Sequence, residues 1–188
     1  QGYLIITLLR YCFGKGFYKL DSLTVFELAF QNKNDMYLFY LEKSNHLVSL
    51  LSKEIFKKIK EDESFHLQKI QEGLDQIKKG EIFSNGSREG LRKSSRECFD
   101  SIFSEIVQDQ TQITSSWFTD LEIIDQAMTL ETNIHRFFVM IEKEVADQKM
   151  KDFFSFLAGE EYRHFNLLFN TREYLQGIQE QLPQCSQD

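Results

Sequence analysis

From Ser22 onward, apolar residues recur at three- and four-residue spacing, the period of one helix face. Phe26, Ala29, Phe30, Tyr37, Tyr40 and Leu41 mark a first helix running to about His46. Asp21 and Ser22 are good N-cap residues, and Thr24-Val-Phe-Glu27 has capping-box spacing. Phe56, Ile59, Leu67, Ile70, Leu74 and Ile77 mark a second helix from about Leu51 to Lys79, with Gly80 as its stop. A short turn near residues 46 to 50 separates the two. Ser84-Asn-Gly-Ser87 is a turn cluster, and Cys98, Phe99, Ile102, Phe103 and Ile106 mark a short helix over about Ser95 to Val107. Thr119-Asp-Leu-Glu122 again has capping-box spacing. It opens a third long helix to about Val145, with Ile124, Ala127, Met128, Ile134 and Phe138 on its stripe. A fourth, from near Lys149 to near Gly177, carries Phe154, Leu157, Ala158, Phe165, Leu168 and Leu175.

The second half of this pattern repeats the first at an offset of 98 residues. Phe56 recurs as Phe154, Ile59 as Leu157, Ala29 as Ala127, and Phe39-Tyr40 as Phe137-Phe138. Two helical hairpins joined by a long crossover predict an all-α four-helix bundle. A solenoid is excluded, since only two repeats exist and at least three are expected for stability. The expected domain limits are an N-terminal arm over residues 1–21, a bundle over 22–179 with its crossover over about 81–118, and a C-terminal tail over 180–188.

Five polar residues break the apolar stripes. Glu63 and His66 repeat as Glu161 and His164, each pair one helical turn apart on one face. Glu131 lies on the stripe of the third long helix. A single Glu on a core face is more often ion-paired, and a single core His is more often hydrogen-bonded. Two Glu-x-x-His motifs in repeat register are stronger evidence. Burying these groups without a counter-charge is costly, and carboxylate with imidazole suits iron, manganese or zinc. His135, one turn from Glu131, is a candidate sixth ligand. Tyr37 and Tyr40 read mainly as core packing, with redox chemistry beside a metal as the sharper alternative.

Bulk properties narrow the function classes. The 188 residues suit one domain, and a single proline leaves long helices unbroken. A net charge of −7 argues against non-specific nucleic-acid binding. Cys12, Cys98 and Cys185 form no Cys-x-x-Cys, so no zinc ribbon or rubredoxin-like iron site is expected. Scattered cysteines fit a reducing, cytoplasmic setting. The longest apolar run, Tyr3 to Leu9, is cut by Arg10 and spans no bilayer. A homodimer is expected, since closed two-fold dimers are the commonest oligomers.

The residues Phe56-x-x-Ile59-x-x-x-Glu63-x-x-His66, Glu131 upstream of Phe137-Phe138, and Phe154-x-x-Leu-Ala-x-x-Glu161-x-x-His164 resemble a rubrerythrin-type member of the ferritin-like superfamily. The resemblance covers about residues 22–179 and implies a carboxylate-bridged di-iron site. By that pattern Glu63 and Glu161 bridge the metals, and His66 serves one ion while Glu131 and His164 serve the other. It implies peroxide reduction or ferrous iron oxidation, with a redox partner supplying electrons.

One position departs from the pattern. Lys33 stands where a Glu is called for, as the repeat partner of Glu131. An ammonium has donors only and cannot ligate a metal while protonated. Three Glu and one Lys carry −2, which balances one divalent ion rather than two. Two readings follow. One is a metal-binding bundle with an altered site holding one ion or none. The other is a non-catalytic bundle, structural or partner-binding, in which Lys33 pairs with Glu63 or Glu161 in place of metal.

Overall fold

A computed structural model describes residues 21–84, 95–106 and 117–181. Residues 1–20 of the expected arm, 85–94 and 107–116 of the expected crossover, and 182–188 of the expected tail lie outside the described residues. The described residues form five helices: α1 (Ser22–Lys43), α2 (Leu50–Lys78), α3 (Ser95–Ile106), α4 (Trp117–Glu144) and α5 (Gln148–Gln181). Helices α1 and α2 form one antiparallel hairpin, α4 and α5 the other, and α3 lies against α5 and α2. The four long helices enclose a core in which Phe26, Tyr40, Ile55, Phe56, Ile59, Ile124, Phe138, Phe154 and Leu157 are fully buried. This is the all-α four-helix bundle that the repeat predicts.

The helix ends follow local chemistry and correct several sequence boundaries. Asp21 caps α1, its carboxylate accepting from the Thr24 N–H at 2.8 Å. It also accepts from the Thr24 hydroxyl at 2.9 Å, so Thr24 cannot open a capping box of its own. The first helix ends at Lys43, three residues early, in a turn closed by Asn45 N–H to Glu42 O and His46 N–H to Lys43 O. Gly80, at φ 72°, terminates α2 in a Schellman motif. The Gly80 N–H donates to Ile77 O and the Glu81 N–H to Gln76 O, both at 2.9 Å.

Helix α4 begins at Trp117, before the expected cap at Thr119. Its Asp120 is buried and faces another partner, accepting from the N–H groups of Val48 and Ser49 at 2.8 and 2.9 Å. That carboxylate fastens the α1–α2 turn to the start of α4. The fourth long helix, α5, runs past its expected end near Gly177 to Gln181. One glycine in a helix costs about 1 kcal/mol, and Leu175 and Ile178 pack on the core to either side of it.

The repeat extends into the turns. Ser49 caps α2 by accepting from the Ser52 N–H at 3.3 Å, and Asp147, 98 residues on, accepts from the Met150 N–H at 3.0 Å. Gly73 has no such symmetry. A Cβ there would lie 2.3 Å from Phe26 Cε1 and 2.8 Å from Phe83 Cε2, so the glycine admits both rings against α2.

Candidate metal centre

Each long helix sends one or two charged side chains to the bundle axis. Lys33 comes from α1, Glu63 and His66 from α2, Glu131 from α4, and Glu161 and His164 from α5. All six are fully buried. They occupy apolar stripes, so the packing that buries Phe56, Ile59, Phe154 and Leu157 buries them as well.

The Lys33 ammonium sits between the two carboxylates of the Glu-x-x-His motifs. Its Nζ donates to Glu161 Oε1 and Oε2 at 2.6 and 2.7 Å and is in direct contact with Glu63 Oε2. The Phe138 ring lies beside it, 5.9 Å from Nζ to the centroid. Burial works against the lysine charge, but Glu161, Glu63 and Glu131 outweigh it and hold the ammonium above the ordinary lysine range. Burial also opposes ionisation of Glu63, yet Lys33, His164 and His66 hold its carboxyl well below the usual range. Glu161 moves the other way. Burial raises it, Lys33 opposes the rise, and the nearby Glu63 and Glu131 add to it. Crowded carboxylates do not all ionise without cations between them.

On the other side of the cluster, ligand-type atoms of Glu63, Glu131, Glu161 and His164 lie within 4.8 Å of one another. His164 Nδ1 is 3.1 Å from Glu63 Oε1 and 3.7 Å from Glu131 Oε1. The Tyr40 hydroxyl donates a short hydrogen bond to Glu131 Oε1. Burial, and then the Glu131 charge, push the Tyr40 phenol well above its ordinary range. For His164 burial disfavours the charge, but Glu131, Asp62 and Glu63 raise the imidazole well above the ordinary histidine range. His66 stands slightly apart, its Nδ1 3.9 Å from both Glu63 Oε1 and Glu161 Oε1.

Glu63, Glu131, Glu161 and His164 form a donor set that could hold a metal cation. Glu131 Oε2 and His164 Nδ1 are buried without a hydrogen bond, as expected of groups kept for a ligand. Three carboxylates and an imidazole around one point are a set for a transition metal. The space between Glu63 and Glu161 is taken by Lys33 Nζ, which puts a positive charge there.

Of the residues expected at the site, Glu63, His66, Glu131, Glu161, His164 and Lys33 are brought together. His135 is not. Its Nδ1 is 2.9 Å from Ala158 O, so the ring is tied to the α5 backbone. Tyr37 is half-buried on α1, whereas Tyr40 reaches the cluster. Sequence reasoning missed Asp62, Glu160 and Arg163, which lie behind the two histidines. Asp62 and Glu160 are themselves 98 residues apart, and that register was the available signal.

Residues 25–171 match the family model described as Rubrerythrin. No curated protein and no solved structure matches the chain. The described residues contain no rubredoxin domain, and no helix among them is long and apolar enough to cross a membrane.

Proposed function

The chain belongs to the rubrerythrin family, and on that premise we propose that it is a metal-binding bundle whose centre is altered to hold a single transition metal, iron first with manganese and zinc as alternatives. The observation that carries this reading is the Lys33 ammonium bonded between Glu63 and Glu161. It supplies one positive charge where the family pattern calls for a second metal. Glu63, Glu131, Glu161 and His164 would hold the remaining ion. A redox-active metal there would supply one-electron chemistry toward peroxide or oxygen. The protein's own part is to exclude water with the Phe56, Phe138 and Phe154 rings and to hold Glu131 in place through the Tyr40 hydroxyl. The reading calls for a redox partner supplying electrons and for a cytoplasmic homodimer, which light scattering tests.

Elemental analysis of protein purified without chelators, then loaded with ferrous iron under exclusion of oxygen, tests the proposal. One ion per chain is expected. Two tightly bound ions per chain would sink it.

A second reading has its own support. His164 lies among Glu131, Asp62 and Glu63, which against burial raise its imidazole well above the ordinary histidine range and so favour its charged form. With Lys33 it sets two cations against three core carboxylates. The network is then close to balanced without a metal, as a non-catalytic structural or partner-binding module requires. No uptake of any transition metal by the folded chain would favour this reading over the first.

A further inference from the structure

Behind the two histidines, on the side away from the cluster, the helices cross-pair. Asp62 precedes Glu63 on α2, but its Oδ2 faces His164 Nε2 on α5 at 3.4 Å. Glu160 precedes Glu161 on α5, but its Oε2 faces His66 Nε2 on α2 at 3.6 Å. The same two oxygens are held by one guanidinium nitrogen. Arg163 Nη2 donates to Asp62 Oδ2 at 2.7 Å and to Glu160 Oε2 at 3.0 Å. Lys58 Nζ donates to the other Asp62 oxygen at 2.5 Å. The repeat supplies two carboxylates but only one arginine, since the residue matching Arg163 is Phe65.

We propose that Arg163 is a positioning residue that locks both imidazoles through this crossed pair of carboxylates, aiming each Nδ1 at the centre. Each histidine is set by a carboxylate on the opposite hairpin, so the guanidinium fixes the register of α2 against α5 as well as the ring orientation. Nε2 of His164 is also 3.4 Å from Arg163 Nη2. A guanidinium only donates, so Asp62 is the acceptor available to an Nε2–H. That leaves Nδ1 as the ligating nitrogen, the arrangement in which an outer carboxylate orients a metal-binding histidine. His66, at the longer 3.6 Å and outside the group of four ligand-type residues, is held less tightly. The affinity arm of the test rests on the single-ion reading; the ring-orientation arm does not.

The test uses the full chain and the variants Arg163→Gln, Asp62→Asn and Glu160→Gln, with circular dichroism to show that each is folded. Arg163→Lys replaces Arg163→Gln if the latter does not fold. In metal-free protein labelled with ¹⁵N-histidine, the Nε2–H signals are read for chemical shift and exchange with water. Asp62→Asn should shift and expose the His164 signal alone. Glu160→Gln should affect His66 alone and by less. The Arg163 variant should affect both. With zinc as the probe, competed against a chromophoric chelator, affinity should fall about 10- to 100-fold in Asp62→Asn and in the Arg163 variant. Glu160→Gln should change it by less than about threefold, as expected if His66 is not a ligand to the ion. Unchanged ring signals in a folded Arg163 variant would overturn the proposal, as would an Asp62→Asn effect confined to His66. If the parent protein takes up no zinc, the single-ion reading fails and the ring signals alone decide the crossed clamp.

Discussion

The two hairpins are copies in packing and opposites in charge at one point. Phe26 and Ile124, Ala29 and Ala127, Phe56 and Phe154, Ile59 and Leu157 hold matching, fully buried positions in α1–α2 and α4–α5. Lys33 and Glu131 are equally buried at a further matched position, yet one is a cation and the other an anion. Their neighbours differ to suit. Tyr40 of the first hairpin donates its hydroxyl to Glu131, whereas its counterpart Phe138 offers Lys33 only a ring. Packing is thus conserved between the halves while chemistry is not. A buried position needs only the right volume and a partner of opposite charge. Glu131 has Tyr40 and His164, and Lys33 has Glu63 and Glu161.

The largest effect should come from removing the cation of the first half. Breaking a buried pair by deleting one partner costs about 3–5 kcal/mol, because the other charge is left uncompensated. Lys33→Met keeps the volume and leaves Glu63 and Glu161 facing each other. Its metal-free form should unfold at lower denaturant by an amount in that range. Lys33→Glu adds a carboxylate as well and should be less stable still without metal. Loaded with iron, it should bind two ions per chain where the parent binds one, with stability recovered by mass action. Chemical denaturation beside elemental analysis reads both. A Lys33→Glu protein that folds and keeps the parent stoichiometry would mean that more than this residue separates the two halves.

Next in size is the tyrosine that only one half possesses. Tyr40→Phe makes the first hairpin match the second and leaves Glu131 Oε1 without its donor. A buried acceptor stripped of its partner costs about 1–3 kcal/mol. The reverse change, Phe138→Tyr, gains no comparable bond because the Lys33 ammonium beside it already donates to Glu161 and contacts Glu63. Urea midpoints of the two single variants should therefore move unequally, with the loss confined to Tyr40→Phe.

Much of this was legible in the residues. Glu63, His66, Glu131, Glu161 and His164 stand out because they fall on stripes of Phe, Ile and Leu, and a charged residue on such a stripe is buried with it. Lys33 stands out only against its repeat partner. The outer layer was not legible for the opposite reason. Asp62, Glu160 and Arg163 sit among other charged residues, in Lys60-Glu-Asp-Glu63 and Glu160-Glu-Tyr-Arg163, and read as solvated faces. Their partners lie on the other hairpin, about 100 residues away in the chain, so no local spacing reveals the crossing. The start of α4 was misplaced for a related reason. Thr119-Asp-Leu-Glu122 has the spacing of a cap, but tertiary bonds from Val48 and Ser49 take the Asp120 carboxylate.

A smaller, pH-dependent effect separates Asp62 from the carboxylates of the core. Burial raises its carboxyl, but the hydrogen bonds from His164 and Lys58, with Arg163, hold it well below the usual range. A carboxyl held low in the folded state stabilises above its unfolded value, about 4, and that stability is lost as pH falls below it. The thermal midpoint of metal-free protein should therefore drop on acidification below about pH 4. In Asp62→Asn the midpoint at neutral pH should be lower and this part of the acid slope flatter. An Asp62→Asn profile that runs parallel to the parent throughout would show that Asp62 is not one of the groups linking acid to unfolding.

The smallest difference lies at the helix starts, where the two halves part company again. Asp21 is the N-cap of α1 and binds both the N–H and the hydroxyl of Thr24. The matching residue, Thr119, is exposed inside α4, which has already begun at Trp117. Replacing a capping Asp by Ala costs about 1 kcal/mol. Replacing an exposed helical Thr by Ala costs nothing and can gain a few tenths, since alanine loses less side-chain freedom in a helix, roughly 0.5 kcal/mol on propensity scales. Asp21→Ala should thus lower the urea midpoint while Thr119→Ala leaves it unchanged or raises it slightly. Equal losses at the two positions would mean that α4 starts at Thr119 in solution and that the halves are alike at this end after all.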